Sequence, residues 1–523
     1  MRNETVAFWI QLEPHQALAG EGIGQHMAQL LSAWDQADSG KAELLAPRWC
    51  KPVIEEMMRI YDLPRERIIP RYFGPRLLTA IVTRQAAPKE RPADISDFGF
   101  TERLEKIPFM GLLTLLFLPL APFLALALIA WRLGGGGVRG FAQRILAHGM
   151  RLTRAASYAS MAAYANRNDH IDFCIVPLGN WSLCRLIKKK PYVVQIPDVV
   201  FLEFPELFDR NQDVNNLSTE IGRVAKQAGA VISVSEHVRR NHVIKFLGVE
   251  PRRARLALHA PMRLDAALAD NFRQEVQPTK AQARAWLAGH WQDIMARPGL
   301  VDRMNGSLNW LAHARKLDIH NTRLLYFATQ YRPYKNIERA IEAMANVRAH
   351  SLAPVALLLT ANLAGGEHIS ALIDKHDLWD TVIPLPRLPQ PIHATIYAAA
   401  DLALAASRFE GGLPFLFSEA VSVGTPVIMA ETAIVRASMP AALRGRMMFD
   451  PLDTDHMASS IIRGLNDPNL FLEQSRILAN MSARRTWSDV VNDYLNAGRD
   501  AMVYAQAPKI EEPDLFSPRR AEA

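Results

Sequence analysis

The stretch 402–430 reads LALAASRFEGGLPFLFSEAVSVGTPVIMA. Its first five residues, 402–406, are an apolar run of strand length. Ser407–Pro414 then carries the glycine pair Gly411 and Gly412, and a helix runs on to Val423. Gly424, Thr425 and Pro426 turn the chain into a second apolar run, 426–430. Strand, loop, helix, turn and strand make a βαβ unit, which calls for a parallel sheet covered by helices.

The same alternation spreads upstream. Strands are expected at 324–328, 355–360 and 382–385, with a helix over 336–349 that puts Ile337, Ala340, Ile341, Met344 and Val347 on one face. The first half repeats the scheme, with strands at 6–11, 172–177, 192–196, 230–234 and 255–258. The first of these leads into a glycine turn, Glu21-Gly22-Ile23-Gly24, and then a helix with Met27, Leu30, Leu31 and Trp34 at helical spacing. Two successive blocks of this kind predict two facing, doubly wound α/β domains. The expected division is 1–265 for the first domain, 266–320 for a helical insertion or linker, and 321–488 for the second domain. A helix over 489–505 is placed to cross back to the first domain, and 506–523 is expected to be a disordered tail.

Composition fits this picture. With 523 residues, 49% of them hydrophobic, and only 28 Gly and 33 Pro, the chain is no disordered or collagenous protein. Three cysteines cannot build a disulfide framework, and no Cys-x-x-Cys pair suggests structural zinc. A net charge of +7 suits anionic partners without choosing among them.

One segment stands apart. Residues 107–131 contain no charge. They are long enough for a membrane span, but Pro119 and Pro122 divide them into arms of 12 and 9 residues. At roughly 1.5 Å per residue neither arm crosses ~30 Å of hydrocarbon. A re-entrant or monotopic hairpin over 107–133 is therefore expected, dipping Ile107, Phe109, Leu115, Phe117, Phe123, Leu126 and Trp131 into one leaflet. Gly134–Gly137 reads as a flexible exit, and 139–154 as a basic amphipathic helix whose Arg139 and Arg144 suit anionic headgroups. The competing reading is a hydrophobic helix pair buried against the same chain or a partner.

The loops after the second domain's strands carry the chemistry. Thr329–Asn336 presents Arg332, a planar fork of donors, and Lys335, a point charge, at the start of a helix. Together they suit a diphosphate; solvated surface cations are the plainer alternative. Glu410 and Glu419 flank the glycine loop, and carboxylates accept hydrogen bonds from sugar or ribose hydroxyls. A capping role for Glu410 and a solvated position for Glu419 are the structural alternatives.

The run from Glu410-Gly-Gly-Leu-Pro through Glu419-Ala to Gly424-Thr-Pro-Val-Ile resembles the signature of retaining glycosyltransferases of the GT-B fold, specifically glycosyltransferase family 4. Gly22-Ile-Gly24, Ile232-Ser-Val-Ser235, Lys335-Asn336 and Leu385-Pro-Arg-Leu388-Pro resemble other family motifs in the expected order. The resemblance implies catalytic roles for Glu410, Lys335, Arg332 and Asp198, with Arg332 and Lys335 neutralising a departing nucleoside diphosphate. It implies that Gly411, Gly412 and Leu413 hold the donor sugar and phosphate, that Glu419 holds the ribose, that Leu388 lies near the nucleobase, and that Gly22 and Gly24 admit the donor phosphate or acceptor. It implies no metal and no other cofactor. This chain departs from the pattern in having eight residues between Glu410 and Glu419 rather than seven, and Pro197 before Asp198 where a histidine is common.

The function expected on this resemblance is membrane-associated, retaining transfer of a hexose from a nucleotide sugar to a polyprenyl-diphosphate-linked saccharide. Mannose from GDP-mannose is the preferred donor, and the cytoplasmic face of the inner or plasma membrane the expected location. Transfer to another lipid or a soluble glycan, and a non-catalytic GT-B scaffold partnering another transferase, are the alternatives. A nucleic-acid binder finds no support in zinc-finger spacing or long basic runs.

Overall fold

A computed structural model describes residues 4–14, 22–36, 39–76, 136–208, 214–272, 277–304, 306–363 and 367–506. The expected hairpin over 107–133, from Ile107 to Trp131, lies outside the described residues, as does the tail beyond Gln506. Among the described residues, no helix is long and apolar enough to cross a membrane.

Among the described residues, seven strands form the first sheet: β1 Thr5–Trp9, β2 Lys41–Pro47, β3 Ile68–Phe73, β4 Phe173–Val176, β5 Tyr192–Gln195, β6 Ala230–Ser233 and β7 Ala254–Leu256. Six form the second: β8 Arg323–Phe327, β9 Val355–Leu359, β10 Val382–Pro384, β11 Leu402–Ala405, β12 Val427–Ala430 and β13 Met448–Phe449. Their spatial orders are β3-β2-β1-β4-β5-β6-β7 and β10-β9-β8-β11-β12-β13. Every pairing is parallel. β4, β5, β6, β9, β11 and β12 are buried along their whole length, and β1 and β8 beyond their first residue, as a sheet covered on both faces requires.

Three strands escape the sequence pattern for physical reasons. β2 carries Glu43, which interrupts the apolar run yet is 2% exposed. Arg71 and the Tyr164 hydroxyl donate to it at 2.9 Å each, so its charge stays paired. β3 contains Pro70 and β13 is two residues long, and both lie at sheet edges, where such strands are tolerated.

Three expectations are corrected. Residues 266–320 are helical as expected but are part of the second domain's core rather than a linker: the helices Asp265–Phe272, Lys280–Met295, Leu300–Arg303 and Leu308–Arg315 bury Leu287, Trp291 and Trp310 in it. Trp310 Nε1 donates to the Val382 carbonyl at 2.6 Å, which ties this layer to β10. The flexible exit expected at Gly134–Gly137 overlaps the long helix Gly136–Arg167, which takes in Gly136 and Gly137 and buries Tyr158, Met161, Ala162 and Ala165 in the first core. Arg139 and Arg144 lie on its first turns. Finally, Gly22 and Gly24 sit in the first turn of the helix Gly22–Gln36 rather than in a turn before it.

Two crossings join the domains. On the outward one, Ser418 Oγ accepts from the Met262 N–H and Ser422 Oγ from the Leu264 N–H, both at 2.9 Å. On the return, Arg485 donates to the Leu258 carbonyl at 2.8 Å, and the helix Trp487–Gln506 follows. That helix buries Val490, Tyr494, Leu495 and Ala501 in the first core.

Candidate active site at the domain cleft

In a doubly wound sheet, loops on either side of the strand where the order reverses open into a crevice at the carboxyl ends. In the second sheet that place lies between β8 and β11, and the loops following those two strands hold Lys335 and Glu410. Lys335 Nζ donates to Glu410 Oε1 at 2.6 Å, with both side chains about four-fifths buried (19% and 20% exposed). The Arg408 N–H donates to the Tyr334 carbonyl at 2.8 Å, fastening one loop to the other. Asn336 closes the first loop in a left-handed conformation, φ 60°, which asparagine tolerates better than most residues. Its buried amide donates to the Ala406 and Pro451 carbonyls at 3.2 and 2.8 Å. Arg332 is exposed; its guanidinium donates to the Tyr331 carbonyl at 3.0 Å, and no carboxylate among the described residues pairs with it.

Glu419 sits on the helix Phe415–Ser422 and is 5% exposed. His393 Nε2 lies 3.9 Å from its carboxylate, and His393 Nδ1 bonds the Tyr326 hydroxyl at 2.6 Å. Burial, with the Glu419 charge in addition, pushes the Tyr326 hydroxyl well above its ordinary value. Leu388 is half-buried against the same core. Sequence reasoning missed His393 and Tyr326, because neither stands in a motif and only the packing of Gln390–Ala399 on β8 joins them to Glu419.

The first domain meets this loop directly. A Cβ placed on Gly411 would lie 2.4 Å from the Pro197 carbonyl oxygen and 3.4 Å from Asp198 Oδ2. One on Gly412 would lie 3.6 Å from His259 Nδ1 and 3.6 Å from Val234. The glycine pair thus docks against the exits of β5, β6 and β7. Arg408 bridges the cleft to Glu206 at 3.3 Å while lying over the Phe204 ring. Asp198 accepts the Val200 N–H at 3.2 Å. Burial pushes its carboxyl above the usual range, against the pull of that N–H, His242 and Lys335.

A second set of residues lies at the seam behind Gly412. The Tyr494 hydroxyl donates to Gln195 Oε1 at 2.7 Å and bonds His26 Nε2 at 3.1 Å. The glycine-led helix, the returning helix and β5 are thereby linked. Burial lowers His26 to about 4. His259, its ring 4.7 Å from that of His26 and stacked on Phe415, is held well below the usual histidine range by burial and then by His26 and Arg485.

Residues 311–481 match the protein family described as Glycosyl transferases group 1. The second half of the chain therefore carries a glycosyltransferase domain. No curated protein matches the chain. Several solved structures share its fold at low identity. Sucrose-phosphate synthase from Thermosynechococcus elongatus is similar at a TM-score of 0.60 and 13% identity, covering 96% of this chain and 100% of its own. The Anabaena protein HepE in complex with UDP-glucose gives 0.53 and 13%, covering 95% and 98%. An alpha,alpha-trehalose 6-phosphate synthase from Burkholderia multivorans gives 0.51 and 13%, covering 97% and 100%.

Proposed function

We propose that this glycosyltransferase chain moves a hexose from a nucleotide sugar with retention of configuration, on a site built around Lys335 and Glu410. The observation that carries the reading is their 2.6 Å ion pair at the strand-order switch, faced across the cleft by Asp198. A carboxylate now holds an ammonium that suits an anionic diphosphate. When a nucleotide sugar enters, the diphosphate takes Lys335 and Arg332, and Glu410 turns to the hydroxyls of the sugar. Glu419 accepts the ribose hydroxyls and the Gly411–Leu413 amides hold sugar and phosphate. Catalysis then consists of stabilising the charge that develops on the leaving diphosphate, without a metal.

The motif resemblance favours GDP-mannose. UDP-glucose, which the Anabaena protein holds, is the competing donor. The uncharged segment 107–131 and the basic residues after it support a lipid-linked saccharide acceptor, reached at the cytoplasmic membrane face. A thermal-shift panel in detergent with GDP, UDP, ADP and their sugar conjugates tests the donor site. A ligand at about 100 times its dissociation constant adds about 2.7 kcal/mol. A shift with the GDP pair alone supports mannose, and a shift with the UDP pair replaces it. A flat panel on folded protein overturns the donor site.

A further inference from the structure

Asp198 opens a segment, Val199–Phe208, that lines the cleft, and one buried side chain holds its start. His242 has no exposed surface and its Nδ1 accepts the Val199 N–H at 2.8 Å. A backbone N–H can only donate, so Nδ1 carries the lone pair and the ring proton sits on Nε2. Nε2 donates it to Glu203 Oε2 at 2.6 Å. Glu203, at the end of the short helix Val200–Glu203, also takes His237 Nε2 at 3.1 Å. The two histidines are five residues apart and would diverge by about 140° on an α-helix. Here the Leu247 N–H reaches the His242 carbonyl, five residues back, at 3.0 Å. That π-helical segment, Val238–Phe246, puts both rings at one carboxylate, their centroids 5.7 Å apart. From the other domain, the ring of Phe409, the neighbour of Glu410, stacks on His242 at 5.3 Å and 17°.

Glu203, His237 and His242 bring potential ligand atoms within 4.8 Å of one another, as in a cation site. The tautomer argues against one. A metal-ligating imidazole keeps its proton on the nitrogen away from the metal, whereas here that nitrogen accepts a hydrogen bond.

We propose that His242 is a positioning residue: it fixes the backbone that presents Asp198 to the transferred sugar, and Phe409 couples it to docking of the Glu410 loop. The inference rests on the reading of Asp198 and Glu410 as sugar-facing groups. His242→Phe keeps the ring stack but loses both hydrogen bonds. With UDP-glucose or GDP-mannose as donor, it is expected to lower kcat by roughly 10- to 100-fold and to leave nucleoside diphosphate affinity within about twofold, since no group in contact with the diphosphate moves. His242→Asn, whose Oδ1 can stand in for Nδ1 but which gives up the stack on Phe409, recovers only part of that loss. In an Asp198→Asn background, His242→Phe costs less than about twofold, because both changes remove the same contribution. Equal losses in both backgrounds, a change confined to KM, or no advantage of asparagine over phenylalanine overturns the proposal. If the phenylalanine variant does not fold, Glu203→Gln is measured with the same dependence on Asp198 expected. Full turnover by Asp198→Asn alone also overturns it, while the Lys335 and Glu410 reading stands. A wild-type enzyme that turns over neither donor refutes that reading instead. Stoichiometric zinc in the purified protein, lost in His242→Phe, refutes the tautomer argument.

Discussion

Gly411→Ala tests whether the cleft must close on the glycine loop for turnover. Gly411 is not in a left-handed conformation, so alanine is permitted by the backbone and only contact decides. The new Cβ would sit 2.4 Å from the Pro197 oxygen, whereas ordinary contact begins near 3.4 Å. About 1 Å must therefore be found. The obstacle is backbone rather than a flexible side-chain end, so the domains must separate or the exit of β5 must recede. Overpacking of this kind costs about 1–3 kcal/mol. At about 1.4 kcal/mol per decade, the closed arrangement loses roughly 5- to 150-fold in population. Arg332, Lys335, Glu410 and Glu419 all belong to the second domain. Alanine keeps the Gly411 amide that holds sugar and phosphate, so where the first domain rather than the loop gives way, nucleoside diphosphate affinity should change by less than about threefold while kcat falls by the closure factor. Gly222→Ala is the control, because a Cβ there meets nothing within 4 Å. The assay pairs steady-state kinetics with calorimetric titration of the diphosphate. Wild-type kcat in Gly411→Ala, at an unchanged melting temperature, refutes the closure argument; parallel losses of kcat and affinity place the damage in the second domain alone.

Three other outcomes are expected. Lys335→Ala and Glu410→Ala should each lower kcat by about 100-fold or more, with Lys335→Ala also weakening diphosphate binding; unchanged turnover in both removes the pair from the mechanism. The same glycine-to-alanine change should act oppositely in two helices. At Gly289 in Lys280–Met295, where nothing lies within 4 Å, it should stabilise by about 0.5–1 kcal/mol, whereas at Gly498, where the Cβ would meet the Phe173 ring at 2.1 Å, it should destabilise by about 1–3 kcal/mol in urea melts. Lastly, burial pushes His26 down from the ordinary 6.5 to about 4 in the folded chain, so the unfolded chain takes up its proton first and stability falls as pH drops from about 6.5 towards 4. His26→Gln, which cannot take up that proton, should remove about 3 kcal/mol of the decline; a urea-midpoint profile that matches wild type would show that His26 contributes none of it.

The stretch 402–430 was enough to place a parallel βαβ unit, because a strand buried on both faces needs an unbroken apolar run, and glycine and proline mark its ends. Lys335, Glu410 and the glycine pair could be picked out as site candidates because they stand in loops at strand ends, although only the folded chain shows that the Pro197 carbonyl also demands a glycine at 411. Tertiary structure alone decided the rest. β2 escaped detection because Arg71 and Tyr164, distant in sequence, pay for burying Glu43. Residues 266–320 were legible as helical, but whether they were insertion or linker was not, because their tryptophans find their partners, such as the Val382 carbonyl, only in the folded domain. His242, His259 and His393 follow the same rule. A histidine's tautomer and charge are set by the groups packed around it, and those groups come from other strands, the other domain and the returning helix. No local pattern in the chain encodes that company.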